Sequence, residues 1–173
     1  MDPLGKVERL VVHHTERNND FRAFVRMRHV YLNSWEDIGY HYLIGNKRPF
    51  SRDGKLYRAR PEELEGAHAR GYNHNSLSVC LIGNLDINLP TEKQFETLFS
   101  FLDEKILQYV LSSDNVRGHN ELPGTDKSCP GRFLDMGYVR SVVSGREEFS
   151  YSLYKQMVRE SMVQPSGGLL QHR

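Results

Sequence analysis

Residues 77–83 read LSVCLIG and are the most hydrophobic of the segments with strand character. A short apolar run bounded by polar and glycine residues is typical of a strand buried on both faces, so we predict a central strand here. Residues 9–13 (RLVVH) predict a second buried strand. Three further strands are predicted over 39–45, 55–59 and 115–118.

Helical signals lie between these strands. Three polar residues at 18–20 can cap a helix that runs to about Asn33. A capping box begins at Thr91, with Gln94 three residues later, and predicts a helix to about Leu111. The residues predicted to face inward are Phe21, Phe24, Val25 and Leu32 in the first helix, and Phe95, Leu98, Phe99, Leu102, Ile106 and Val110 in the second.

The C-terminal part divides into two predicted pieces. Pro130 can open a short helix that turns Phe133 and Leu134 inward, and the domain is predicted to span residues 1–144. Residues 145–173 form a predicted extension, with a helix over 146–163 and a frayed end. In that helix Phe149, Leu153 and Met157 share one face. Alternating strands and helices predict a single α/β domain, in which a central mixed β-sheet has helices on both faces.

Composition excludes several classes of protein. The chain has 173 residues, of which 38% are hydrophobic and 26% charged, which fits neither a membrane protein nor a disordered chain. The net charge of +1 gives no global field to gather nucleic acid or an anionic membrane. Neither a secretory apolar segment nor a membrane-spanning run is visible, so we expect synthesis in the cytoplasm and no membrane insertion.

Cysteines and histidines hold the chemical signal. Two cysteines are too few for a disulfide framework, but there are eight histidines. Cys129 lies in a loop bounded by glycine and proline, ten positions after His119, and His13 ends the first predicted strand. Imidazole and thiolate ligands suit zinc, and three protein ligands leave a fourth position open for catalysis. From spacing alone, a buried thiol near a surface histidine is the alternative.

Four ordered segments resemble a known family. VVHHTE, GYHYLI, GAHARGYNHNSLSVCLIGN and RGHNELPGTDKSCPG look like the zinc-dependent N-acetylmuramoyl-L-alanine amidases of type 2. Amidase-type phage lysozymes are the most similar in appearance, and the peptidoglycan recognition proteins share the fold. The resemblance covers about residues 8–140.

The resemblance implies a ligand set of His13, His119 and Cys129 for one zinc ion. We choose His13 over His14 because similar phage enzymes carry histidine at the first of the two places, and because strand alternation lets only one side chain face the metal. Tyr40 and Lys127 match the family's catalytic helpers.

A substrate groove is also implied by the resemblance. Its predicted wall contains His68 and the stretch 71–76, in which Asn73, His74 and Asn75 offer hydrogen-bond donors and acceptors. Cys80 lies in the apolar strand and is predicted to be a core residue. The loop over 45–54 (GNKRPFSRDG) is longer than in similar phage enzymes and is expected to reshape one rim of the groove.

The expected function is hydrolysis of the amide between N-acetylmuramic acid and L-alanine in peptidoglycan, by a phage or prophage endolysin that acts on the cell wall after release. A non-catalytic peptidoglycan-binding protein is one alternative, although such binders typically lack a ligand. A cytosolic muropeptide-recycling amidase is another, although those enzymes typically carry aspartate where Cys129 stands. We expect peptidoglycan as the partner, no nucleic acid, and a monomer.

Overall fold

A five-stranded mixed sheet forms the centre of the computed structural model, which describes residues 1–32, 34–125 and 128–163. The strands are β1 Arg9–His14, β2 Tyr42–Ile44, β3 Leu56–Arg58, β4 Ser76–Leu81 and β5 Val116–Gly118. Their order across the sheet is β3-β2-β4-β1-β5, and all neighbours are parallel except β3, which is antiparallel to β2. The apolar run predicted to be central is β4, the middle strand, and all its residues are buried.

Helices cover both faces of the sheet, as predicted. They are α1 Arg22–Met27, α2 Glu92–Tyr109, α3 Met136–Val143 and α4 Tyr151–Val163, and a π-helical turn, Arg28–Leu32, continues α1. The larger core joins one face of the sheet to α2, α3 and α4, whereas a smaller core packs α1 against Leu43, Cys80 and Ile82. None of the described helices is both long and apolar enough to cross a membrane.

The capping box at the start of α2 is confirmed. The Thr91 hydroxyl accepts a hydrogen bond from the Gln94 backbone N–H, and the Gln94 side chain accepts one from the Thr91 N–H, each at 3.1 Å. The prediction that Val110 faces inward is wrong. The helix ends there with a left-handed residue at φ 54°, which leaves that side chain 92% exposed.

The first helix packs differently from the prediction. Its N-cap is Phe21, without a side-chain cap, because Asp20 instead forms an ion pair with Arg28. Phe24 and Leu32 were predicted to face inward, and they are exposed. Of the residues predicted to be inward, only Val25 is fully buried.

The C-terminal segment contacts the core through a face that was not predicted. α3 begins after Asp135 rather than at Pro130, although Phe133 and Leu134 are buried as predicted. In α4 the buried side chain is Tyr154, whose ring lies 4.7 Å from that of Phe95, centroid to centroid.

The rest of the prediction for this segment is mixed. Phe149 packs against the core as expected, whereas Leu153 and Met157 are exposed, so helical spacing selected the wrong face. The domain boundary near residue 144 stays a prediction. The end that is predicted to fray, residues 164–173, lies outside the described residues.

Candidate metal centre and groove

The three predicted metal-ligating residues lie together at the carboxyl edge of the sheet. One ligand atom each from His13, His119 and Cys129 falls within 4.8 Å of the others. Strand pairing brings the two histidines together although they are far apart in the sequence. β1 and β5 are parallel with Val12 opposite Gly118, and the residues that follow these two are His13 and His119. Cys129 Sγ lies 3.5 Å from Nδ1 of His13.

Strand alternation separates His13 from His14. The His14 ring lies on the other side of β1, outside the cluster, where its Nδ1 accepts a hydrogen bond from the Leu85 N–H at 3.0 Å. Its Nε2 is buried, has no hydrogen-bond partner in the described part of the chain, and lies 3.9 Å from Asp86 Oδ2. Burial lowers the pKa of His14. The structure therefore groups His13, and not His14, with His119 and Cys129.

Asp86, in the turn after β4, holds the Cys129 loop from both sides. Its carboxylate accepts a hydrogen bond from the Ser128 hydroxyl at 2.6 Å and another from the Arg132 backbone N–H at 3.0 Å. The Arg132 guanidinium also donates to the Asp86 backbone carbonyl at 2.7 Å. Cys129 thus lies between Ser128 and Arg132, both of which are hydrogen-bonded to Asp86. Sequence reasoning missed Asp86, because no local pattern links it to the loop.

The same loop packs tightly on that turn. Gly131 has φ +102°, and a Cβ added there would lie 2.6 Å from the Leu85 backbone carbon, so only glycine fits. The backbone N–H of His14 lies 3.4 Å from Cys129 Sγ and donates to it. This contact joins the Cys129 sulfur to the backbone of β1.

An ion pair between Glu121 and Arg140 supports the backbone next to His119. Glu121 accepts hydrogen bonds from the Gly118 N–H at 2.8 Å and from Arg140 at 2.8 and 2.9 Å. Burial acts to raise the pKa of Glu121, but the Arg140 hydrogen bonds and charge outweigh it and hold the pKa low. Arg140 also donates to the Val116 carbonyl of β5, which ties α3 to the strand that presents His119.

His68 contacts the metal-ligand candidate directly. Its Nδ1 lies 3.1 Å from Nε2 of His13, and its Nε2 lies 3.4 Å from the Ser76 hydroxyl. Burial, with His41 nearby, lowers the pKa of His68 well below its ordinary value. The Nδ1 of a neutral His68 can accept a hydrogen bond from the Nε2–H of His13, and in that tautomer the Nδ1 lone pair of His13 lies on the side of Cys129.

Tyr40 borders the centre. Its ring centroid lies 5.1 Å from that of His13 and 5.4 Å from that of His29. Burial, reinforced by Cys80 and Cys129, raises the pKa of the phenol well above its ordinary value, so the phenol stays protonated and can donate a hydrogen bond. The predicted core residue Cys80 is fully buried behind it.

His29 was missed by sequence reasoning. Its Nδ1 accepts a hydrogen bond at 2.9 Å from the N–H of Gly39, the residue before Tyr40. Burial, with Arg28 and Arg60 nearby, lowers the pKa of His29 to about 4. The available signal is its position four residues after the buried Val25, on the inward side of the helix.

Two adjoining cavities open onto the centre. One, of about 380 Å³, is lined by all three ligand candidates and Tyr40. The other, of about 490 Å³, is lined by His68 and His119 among others. Both are also lined by Trp35, which the prediction omitted. The lining combines the indole of Trp35 with polar side chains and with the charged side chains of Glu16, Arg17, Arg28 and Arg70, so the groove suits a ligand that has both polar and apolar parts.

The predicted groove residues do not all reach it. His68 and Asn73 line the larger cavity, whereas His74 and Asn75 lie outside the lining of both. The Asn73 side chain accepts hydrogen bonds from two loop N–H groups, and that of Asn75 binds Arg9 and Glu8. Lys127, the second predicted catalytic helper, lies outside the described residues.

Comparison with known proteins gives a consistent result. A family model described as N-acetylmuramoyl-L-alanine amidase matches residues 3–132. The endolysin of Escherichia phage T7 is 37% identical over 101 residues, which are 56% of this chain and 60% of that protein. Peptidoglycan-recognition protein 2 of Holotrichia diomphalia is 35% identical over 102 residues, 54% of this chain and 51% of that protein. The chain therefore spans less than two thirds of either relative.

A solved structure agrees. N-acetylmuramoyl-L-alanine amidase LysC from Clostridium intestinale URNW superimposes with a TM-score of 0.70 at 26% identity, covering 79% of this chain and 84% of that one.

Proposed function

The chain belongs to the N-acetylmuramoyl-L-alanine amidase family, and from this premise we propose that it is a zinc-dependent amidase of peptidoglycan. It hydrolyses the amide between N-acetylmuramic acid and L-alanine. In this proposal it is an endolysin of phage type, which reaches the cell wall after release. The observation that carries the proposal is the convergence of His13, His119 and Cys129 at the groove.

The donor geometry fits one zinc ion. With zinc–sulfur and zinc–nitrogen bonds of about 2.3 and 2.0–2.1 Å, a tetrahedral centre separates sulfur from nitrogen by about 3.6 Å. Cys129 Sγ and His13 Nδ1 are 3.5 Å apart. Two imidazoles and one thiolate also match the preferences of zinc, and a set of three leaves one position open. His13, His119 and Cys129 would hold the ion.

Zinc, when bound, supplies Lewis-acid chemistry that lowers the pKa of water to about 7. The chain's own groups do the remaining work. Tyr40 donates a hydrogen bond from its phenol to the substrate carbonyl or to the attacking water. Lys127, two positions before Cys129, donates to the carbonyl oxygen as negative charge develops there, and a donor of this kind is worth about 3–4 kcal/mol.

The larger cavity receives the rest of the substrate. His68 and Asn73 line it beside the centre, and Asn73 also braces the loop that carries His68. We assign the substrate-binding role to these two residues and retain His74 and Asn75 only as loop residues. Trp35, shared by both cavities, offers a flat apolar wall for a sugar ring.

A non-catalytic peptidoglycan-binding protein is the competing proposal. Such a protein would need no metal, so its function would not explain why a thiol lies beside two imidazoles. The recycling-amidase alternative is disfavoured because a cysteine, not an aspartate, stands at position 129.

Release of stem peptides from purified cell wall tests the function. The zinc-loaded protein should free peptides with new L-alanine amino termini and bind one zinc per chain. Cys129→Ala should lose both properties, whereas Cys80→Ala, which changes the other buried cysteine, should still bind one zinc. A Cys129→Ala variant that still releases peptides would overturn the proposal, as would zinc-loaded protein that releases none.

A further inference from the structure

An exposed apolar face runs along α1 and the π-helical turn after it. Only Val25 and His29 of this segment are buried. Spacings of three and four residues place Phe24, Met27 and Tyr31 together on a different side of the segment, and Leu32 follows at its end. Their exposed fractions are Phe24 37%, Met27 41%, Tyr31 76% and Leu32 74%.

The tip of the long loop over 45–54 extends this face. Phe50 is 85% exposed and has a positive φ of 66°, which costs backbone energy for a residue with a large side chain. Its ring lies 5.7 Å from that of Phe21, which in turn stacks on Phe24 at 5.9 Å, centroid to centroid. We call this set the apolar patch: Phe21, Phe24, Met27, Tyr31, Leu32 and Phe50.

Positive charge is concentrated in the segment that forms the patch. Residues 17–58 contain nine Lys or Arg against four Asp or Glu, a net charge of +5, whereas the rest of the chain carries −4. Three of the four acidic groups are ion-paired, Asp20 with Arg28, Asp37 with Arg26, and Glu36 with the N-terminal amine. The chain's near-neutral total therefore hides a basic surface.

Several cations of that surface are available to a partner. Those that are exposed and form no ion pair within the described residues are Arg17, Arg22, Lys47, Arg48, Arg52, Lys55 and Arg58. They come from four segments: the turn after β1, the start of α1, the long loop, and β3 with the residue before it.

We propose that the apolar patch docks the protein on the surface of an anionic phospholipid bilayer. Aromatic and aliphatic side chains flanked by Lys and Arg are the composition of interfacial, membrane-surface helices, in which the apolar groups enter the headgroup region and the cations attract anionic lipid. The patch is formed by a helix side and a protruding loop tip rather than by a concave groove, which favours a deformable lipid surface over an acidic protein. Leu32 also lines the smaller cavity, so docking sets the mouth of the metal centre beside the bilayer.

Vesicle flotation of the zinc-loaded, full-length protein tests this proposal independently of amidase activity. Vesicles of phosphatidylglycerol and phosphatidylcholine in equal parts should bind the protein, and vesicles of phosphatidylcholine alone should bind it far less. Phe50→Ser should weaken binding at least about tenfold, because the variant loses the transfer of a phenylalanine ring from water into the headgroup region. Leu107→Ser is the matched control, since Leu107 is 80% exposed on α2, and it should leave binding unchanged.

The charge component has its own matched pair. Arg48→Glu should weaken binding severalfold and reduce its salt dependence, while Arg159→Glu, on exposed α4, should not. Phe50→Ser and Arg48→Glu, the two variants in the long loop, should still hydrolyse soluble muropeptides like the wild type. Failure to bind anionic vesicles overturns the proposal. The proposal is also overturned if Phe50→Ser binds anionic vesicles as tightly as the wild type does. A third contradicting result is that the protein prefers an acidic protein or a nucleic acid to these vesicles and keeps that preference in Phe50→Ser.

Discussion

Cys129 Sγ and His13 Nδ1 lie 3.5 Å apart, although 116 residues separate them in the chain. Parallel pairing of β1 and β5 brings His13 beside His119, but it does not position the cysteine. Cys129 is positioned by the turn after β4, to which its loop is fastened by Asp86. The grouping of the three metal-ligand candidates therefore depends on Asp86, which bonds to the loop on either side of Cys129 and not to the candidates themselves.

Asp86→Asn is expected to weaken zinc binding. The amide can keep one hydrogen bond to the loop but loses the charge that holds Ser128 and the Arg132 N–H together, and outer partners of metal ligands are typically worth about 10- to 100-fold in affinity. Competition with a chromogenic chelator measures the zinc Kd. Asp103→Asn, an exposed carboxylate on α2, is the control. An unchanged Kd for the Asp86 variant would show that the loop holds Cys129 without this clasp.

Removal of zinc is expected to lower thermal stability. A ligand at 100 times its Kd stabilises the folded state by about 2.7 kcal/mol. For a chain of this length that corresponds to a Tm shift of about 5–10 °C. Differential scanning fluorimetry with and without a chelator measures it. Cys129→Ala should show no zinc-dependent shift and Cys80→Ala should retain one; a shift that survives in Cys129→Ala would place the ion elsewhere.

The features that sequence predicts well are local or periodic. The capping box of Thr91 and Gln94 acts over three residues, and alternation along β1 separates His13 from His14, so both could be predicted without knowledge of the fold. Mixed-sheet architecture followed from alternating strands and helices. The metal-ligand candidates were named from a resemblance, and the structure brings them together.

What sequence misses depends on contacts between distant segments. Asp86 bonds to residues 42 and 46 positions away, and no motif records such a contact. The inward face of α1 was misjudged because Phe24 and Leu32 are as apolar as core residues, and only the tertiary structure decides that Val25 and His29 pack instead. The same ambiguity led to Leu153 being chosen over Tyr154 in α4.

Tyr154→Phe is expected to destabilise the protein by about 1–3 kcal/mol, because a buried carbonyl and a part-buried N–H lose their hydrogen-bond partner. The Tyr154 hydroxyl accepts from the Asp135 N–H at 2.9 Å and donates to the Phe133 carbonyl at 3.0 Å. Urea denaturation measures the free energy of unfolding. Tyr151→Phe removes a single hydrogen bond of a half-buried hydroxyl and should cost less. Equal costs would mean that α4 is not anchored through Tyr154.

Acid should weaken the protein partly through Glu62. Burial acts to raise the pKa of this carboxyl, but hydrogen bonds from Lys105, Tyr109 and Tyr42 outweigh it and lower the pKa from 4.5 to about 2. Because the folded-state pKa lies below the unfolded one, the stabilisation is complete above about pH 4.5 and is lost as the pH falls toward 2. Discounted for partial exposure, it amounts to about 2 kcal/mol.

Glu62→Gln isolates this contribution, since it keeps the shape of the side chain and removes its titration. Urea denaturation at several pH values should show the variant less stable than the wild type at pH 6, and the gap should close between pH 4.5 and 2.5. Glu96→Gln, on the exposed side of α2, is the matched control and should show no pH-dependent gap. A gap that stays constant across this range would mean that Glu62 stabilises the fold by packing alone, with its charge playing no part.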